Sequence, residues 1–181
     1  MSDSKKRLLL GVTGSIAAYK AAELVRAFKK KEMDVTVVMT NGATKFVSEL
    51  TFQTLSNNKV YREMFQEDRE WCPEHISLTD SNDVMLIAPC TANVMAKIAH
   101  GLADDLLTAT ALACDVPLVI APAMNEKMWR NTVTQENIEK MRNRGVEVMD
   151  TEKGDLACGY EGEGRLASLD EIVSKVMSII S

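Results

Sequence analysis

The chain has 181 residues, which fits one domain and leaves no room for a second of ordinary size, and its 46% apolar content can cover both faces of a sheet. A net charge of −5, with the basic run Lys29–Lys31 falling at a helix end, argues against nucleic acid as the partner. Cys72, Cys90, Cys114 and Cys158 lack CxxC spacing and there are only two histidines, His75 and His100, so neither a zinc site nor a disulfide framework is expected.

Lys5-Lys6-Arg7 followed by Leu8–Leu10 has the outline of a signal peptide, but the apolar run meets Gly11–Ser15 too soon. No stretch approaches the length of a membrane span, so a cytoplasmic protein is expected. Leu8–Val12 reads as a strand, and Ile16–Lys31 as a helix with Ala17, Ala21, Leu24 and Phe28 on one face. Val35–Met39 is the next strand. Tyr61–Glu74 is charged and aromatic, with Phe65 and Trp71 and no clear period; it reads as an interface or as ordinary core. Val84–Ala88, Leu118–Ala121 and Val146–Met149 complete the strands. His100 ends a helix before Gly101, where a positive imidazole suits the dipole, and is read as structural. Thr151–Arg165, with Gly154, Gly159, Gly162, Gly164 and Cys158, reads as a mobile functional loop, or as a disordered surface one. The last helix, near Leu169–Ile180, buries Ile172, Val176 and Ile179 or Ile180.

Nearly continuous apolar strands alternating with helices imply a single doubly wound α/β domain. Its expected form is a Rossmann-like or flavodoxin-like parallel sheet with helices on both faces. Ligands in such sheets bind beyond the carboxyl ends of the strands, and the first such end is Gly11-Val12-Thr13-Gly14-Ser15-Ile16. Gly14 permits a tight turn, the amides of Ser15 and Ile16 open the helix, and the Ser15 hydroxyl adds a donor for phosphate. No Walker lysine and hydroxyl pair follows, and the GxGxxG spacing is incomplete. The second strand ends in Thr40-Asn41-Gly42 rather than in an acid for an adenosine ribose. A mononucleotide, FMN first, fits better than ATP or NAD.

Pro122-Ala123-Met124-Asn125-Glu126-Lys127-Met128-Trp129 carries an intact PxMNxxMW motif. With it stand Gly11–Lys20, His75-Ile76-Ser77-Leu78, Ala88-Pro89-Cys90-Thr91-Ala92-Asn93, Lys97–Thr108 and Ala157-Cys158-Gly159, in order along nearly the whole chain. Together they resemble the homo-oligomeric flavin-containing cysteine decarboxylases, and within them the members acting on 4′-phosphopantothenoylcysteine in coenzyme A synthesis. That activity is often fused to a following ligase domain. Residues 1–181 are expected to be a flavoprotein domain without one.

The resemblance implies FMN chemistry: oxidation of the cysteine side chain to a thioaldehyde, loss of carbon dioxide, then re-reduction of the enethiol to 4′-phosphopantetheine. It makes His75 the base or electrostatic partner at the thiol, Asn125 the donor to the substrate carboxylate, and Cys158 the proton donor. Read from the residues alone, His75 is an exposed loop histidine and Asn125 a helix N-cap. Gly14, Ser15, Ile16 and Thr40 would hold the phosphate side of the cofactor. Thr91, Ala92, Asn93 and Val94 would meet its ring or ribityl chain, and Met124 and Ala157 the substrate. Val94 stands where the family motif has threonine, which removes a hydroxyl and leaves a backbone amide. Cys90 is read as a small packing residue. The resemblance also implies a trimer or dodecamer with FMN near the subunit interface.

Three other functions share part of this pattern. A peptidyl-cysteine decarboxylase would use FMN, His75 and Asn125 but need not have the clamp cysteine. A flavin prenyltransferase lacks PxMNxxMW. A non-catalytic regulatory subunit would not require His75, Asn125 and Cys158 together.

Overall fold

Strand and helix alternate along the chain, and the connections fix which strands become neighbours. The computed structural model describes residues 5–65, 74–155, 159 and 161–181. The first half runs β1 (Arg7–Val12), α1 (Ala18–Lys30), β2 (Asp34–Met39), α2 (Glu49–Ser56), β3 (Val60–Tyr61), α3 (Glu74–Asp80) and β4 (Val84–Cys90). It continues through α4 (Ala92–His100), α5 (Leu106–Ala113), β5 (Leu118–Pro122), α6 (Glu126–Trp129), α7 (Thr132–Arg142) and β6 (Glu147–Val148). β7 (Glu152–Asp155), β8 (Glu161–Arg165) and α8 (Leu169–Ile179) follow. Six strands form a parallel sheet in the order β3-β2-β1-β4-β5-β6, and β7 and β8 pair as a separate antiparallel hairpin. This is the doubly wound, Rossmann-like sheet that the alternation implies. Strand order reverses between β1 and β4, the point at which such sheets leave a crevice.

The strands are apolar throughout because both faces are covered. Leu8, Leu10 and Val12 of β1 and Leu86 and Ala88 of β4 join a core with Leu24 and Phe28 of α1 and Ile172 and Val176 of α8. Leu9, Met85 and Ile87 face the opposite way, onto Met95 of α4, Leu107 of α5, and Ile138 and Met141 of α7. Successive residues of a strand point to opposite faces, so one six-residue strand feeds two cores. Each such fully buried side chain contributes about 1.5–3 kcal/mol. Helix ends are fixed locally. Asp105 with Thr108 and Ser168 with Glu171 form capping boxes on α5 and α8.

The structure differs from the sequence reading at three places. The first helix begins at Ala18, two residues later than expected, because Ser15 and Ile16 belong to the turn before it. Val60–Tyr61 adds an edge strand too short to show a period. The glycine-rich stretch read as a loop is the β7–β8 hairpin, in which Gly154 and Gly162 lie directly opposite each other. Ala157 and Cys158 lie outside the described residues, as do Trp71 and Cys72. Phe65 is 77% exposed and so not core.

His100 is held through hydrogen bonds. Nε2 lies 3.0 Å from Asn137 Oδ1, and Lys140 Nζ lies 3.3 Å from Nδ1. These bonds tie α4 to α7, and His100 stands in the last turn of α4 before the left-handed Gly101, in keeping with its structural reading.

Among the described residues, the hairpin hydrogen-bonds to the loop after β5 through one glycine. Gly164 O accepts from Met124 N at 2.9 Å, and Gly164 N donates to Thr151 Oγ1 at 3.1 Å. Gly164 has φ +105°, and a Cβ there would fall onto the Met124 carbonyl oxygen. Gly164→Ala is expected to lower stability by at least about 1–3 kcal/mol in urea unfolding and to speed hydrogen exchange of the Met124 amide. Unchanged stability would show that the hairpin does not depend on this contact.

Candidate functional site

The carboxyl ends of β1, β2, β4 and β5 open into a cleft of about 1120 Å³, above the ~300–1,000 Å³ common for one small ligand. The cleft therefore has room for a cofactor and a second molecule. It is lined on one side by Gly14, Ser15, Ile16 and Thr40, and along its floor by Thr91, Ala92, Asn93 and Val94. Met124 and Asn125 face it beyond β5. The fold thus gathers ten residues singled out from sequence into one cavity.

The first turn is shaped by what its amides can and cannot bond. Ser15 N donates back to Thr13 O at 2.9 Å, and Ala17 N donates to Ser15 Oγ at 3.3 Å. The amide of Ile16 has no acceptor among the described residues, and α1 has no side-chain cap. An uncapped helix start with an open N–H favours an anion. Gly14 serves a close approach: a Cβ on it would lie 2.9 Å from the carbonyl carbon of Gly42. The first and second turns therefore touch backbone to backbone. Thr40 Oγ1 accepts from Ala43 N at 3.3 Å and holds the second turn in place.

β4 ends at a register shift between Ile87 and Cys90, where the Ala88–Pro89 peptide is cis. Thr13, fully buried, spans the gap between β1 and β4. Its hydroxyl donates to Pro89 O at 2.6 Å and accepts from Thr91 N at 3.0 Å. Thr91 then caps α4, its Oγ1 accepting from Val94 N at 3.3 Å. The Val94 amide is therefore already bonded within the chain, and its side chain is buried although the residue borders the cleft. Cys90 is fully buried and burial pushes its thiol pKa up, as suits a packing residue.

Lys97, one turn beyond Asn93, also faces the cleft. Its ammonium lies 2.7 Å from Asp104 Oδ1 and 3.4 Å from Asp105 Oδ2. The hydrogen bond with Asp104 holds the lysine above its ordinary pKa and the aspartate below its own. Two carboxylates thus neutralise this cation.

Asn125 is the N-cap of α6, its Oδ1 accepting from Lys127 N at 2.9 Å, and it borders the cleft as well. Its two sequence readings coexist. Met128 also lines the cleft and is half exposed. His75, half-buried on α3, does not line the cleft of its own chain. Sequence reasoning missed Thr13, Lys20, Gly42, Gly164 and Arg165. Thr13 had a visible signal, a hydroxyl directly after an apolar strand. Gly42 and Gly164 meet residues distant in sequence, Gly14 and Met124.

The chain matches a family model described as Flavoprotein over residues 1–181. It is 45% identical over 173 residues to a probable phosphopantothenoylcysteine decarboxylase of Streptococcus mutans serotype c, covering 94% of this chain and 97% of that protein. It is 38% identical over 176 residues to the coenzyme A biosynthesis bifunctional protein CoaBC of Haemophilus influenzae, covering 97% of this chain and 44% of that one. The chain therefore spans less than half the length of that bifunctional relative. Among solved structures, a cysteine-to-serine mutant of PPC decarboxylase complexed with pantothenoylaminoethenethiol superposes with a TM-score of 0.87 at 33% identity, covering 96% of this chain and 97% of that one. The FMN-dependent cysteine decarboxylase SpaF gives 0.85 at 29% identity, covering 98% and 99%.

Thr13→Val leaves Pro89 O and Thr91 N without their partner. The expected loss is about 1–3 kcal/mol for each unsatisfied group in denaturant unfolding. A variant as stable as the parent would show that the hydroxyl does not hold the two strand ends.

Proposed function

The chain belongs to the flavoprotein family, and on that footing we propose that it binds FMN and decarboxylates 4′-phosphopantothenoylcysteine to 4′-phosphopantetheine in coenzyme A synthesis. The observation that carries this reading is the cleft itself. An open amide at Ile16 meets a glycine cradle on the β1 side, and the PxMNxxMW asparagine stands beyond β5. Gly14, Ser15, Ile16 and Thr40 suit the phosphate of FMN, and Thr91, Ala92, Asn93 and Val94 its ribityl chain and ring. When bound, FMN supplies a two-electron oxidation of the cysteine side chain and the later return of those electrons, so that carbon dioxide leaves from a carboxylate β to a C=S group.

The protein's own groups bind, orient and move protons. The Lys127 amide fixes Asn125 Oδ1, so the nitrogen end of that amide is the donor to the substrate carboxylate. A neutral donor suits a group whose charge disappears as carbon dioxide leaves, since a cation would stabilise the ground state more than the transition state. Met124 and Ala157 border the substrate, His75 takes the thiol proton, and Cys158 supplies a proton to the enethiol.

His75 stands away from its own cleft, so the reading includes a homo-oligomer, a trimer or dodecamer with FMN near the interface, in which α3 of one copy reaches the site of another. Exposed Ile76, next to His75, and exposed Phe65 support such a contact. Among the described residues no helix is long and apolar enough to cross a membrane, and the free thiols of Cys90 and Cys114 suit a reducing cytoplasm.

Mass spectrometry of 4′-phosphopantothenoylcysteine incubated with the FMN-loaded protein is expected to show loss of one carbon dioxide without net oxidation. No reaction from a yellow, folded protein would reject the substrate assignment and direct attention to peptide C termini. Mixing inactive His75→Asn with inactive Asn125→Ala and allowing subunit exchange should restore part of the activity. A mixture that stays inactive despite demonstrated exchange would place both residues in one copy's site.

A further inference from the structure

Among the described residues, three cations line the cleft: Lys20, Lys97 and Arg165. Lys97 is neutralised by Asp104 and Asp105. Lys20 lies one helical turn beyond Ile16 on α1, beside the turn whose open amide suits the cofactor phosphate. Arg165 comes from a different element, the β7–β8 hairpin. Its neighbour Gly164 is bonded to Met124 in the loop after β5. Its one ion pair among the described residues is weak: Nε lies 3.8 Å from Glu152 Oε2, with the arginine side chain 44% exposed. A pair of that length and exposure contributes little.

The local backbone makes room for this guanidinium. A Cβ on Gly154 would lie 2.7 Å from Arg165 Nη1 and 3.4 Å from its Cδ. The missing side chain lets the arginine extend along the hairpin over Gly154. Its backbone is anchored by Gly164, while its charged end has no close carboxylate among the described residues.

The proposed substrate carries two anionic ends, a carboxylate on the cysteine and a phosphate at the far end of a long flexible arm. A phosphate brought against protein needs donors or cations, and the planar guanidinium fork matches it with two parallel hydrogen bonds. Resting on the decarboxylase reading, we infer that Arg165 is a specificity-determining residue that receives the 4′-phosphate of the substrate, with Gly154 keeping the guanidinium's berth open. The two anions are then bound by different chemistry: a neutral amide where charge is lost, and a cation where charge persists.

The test is calorimetric titration of the FMN-loaded protein with 4′-phosphopantetheine and with pantetheine, which differ only in the phosphate. The parent is expected to prefer the phosphorylated ligand roughly ten- to hundredfold, the range of charge-assisted hydrogen bonds. Arg165→Gln should abolish that preference while leaving pantetheine affinity unchanged, and Arg165→Lys should keep part of it. Glu152→Gln removes the competing carboxylate and should keep or widen the preference. The inference is overturned if the parent shows no preference or Arg165→Gln retains it. It is also overturned if Arg165→Gln weakens both ligands equally, or if Glu152→Gln loses the preference as Arg165→Gln does, since either marks a pair that only braces the hairpin. A preference for phosphate in a protein that releases no carbon dioxide would leave the Arg165 assignment standing and reject the reaction.

Discussion

β1 and β4 lie side by side, yet the chain leaves β1 for a helix on one face of the sheet and leaves β4 for a helix on the other. The two ends must diverge, and backbone groups beyond the last ladder bonds lose their partners at the place where a ligand has to enter. Thr13 resolves this conflict with a single hydroxyl, which donates to Pro89 O and accepts from Thr91 N. A hydroxyl can serve both roles at once, and its full burial keeps water from replacing either bond. The position of α4, and with it of Asn93 and Lys97, follows from that link.

Polarity in the cleft is distributed according to what each wall has to do. On the β1 side, an uncapped helix and an open amide attract an anion, with the Lys20 ammonium one helical turn further on. On the α4 side, Lys97 is neutralised, so that wall contributes little positive potential despite its lysine. Beyond β5, the Asn125 amide is oriented by its own helix before any ligand arrives. Such preorganisation reduces the ordering cost of binding.

The fold was legible because its signals are local. Strands buried on two faces show as unbroken apolar runs, and α1 and α8 show as single buried stripes. The cleft was legible where a residue type has one use at a strand end, as with Ser15, Thr40, Thr91 and Asn125. It failed where a residue's role depends on a distant neighbour. Gly14 read as a turn glycine, yet its missing side chain answers to Gly42 on another strand end. The glycines of residues 151–165 read as a loop because composition cannot reveal that Gly154 and Gly162 face each other across a hairpin, or that Gly164 must fit against Met124. Val94 shows the same limit: the amide that seemed available to a ligand is the one its own N-cap consumes.

Among the described residues the hairpin shares no strand ladder with the six-stranded sheet and meets the loop after β5 through the Gly164 carbonyl. Apart from Gly164, its sequence can therefore diverge with no hydrogen bond of the main sheet at stake. One half of the cleft is built into the sheet ends, whereas the hairpin half is an appended module. A cleft built this way can keep its sheet-end wall while the hairpin wall changes, a division of labour between a fixed scaffold and an appended strand pair.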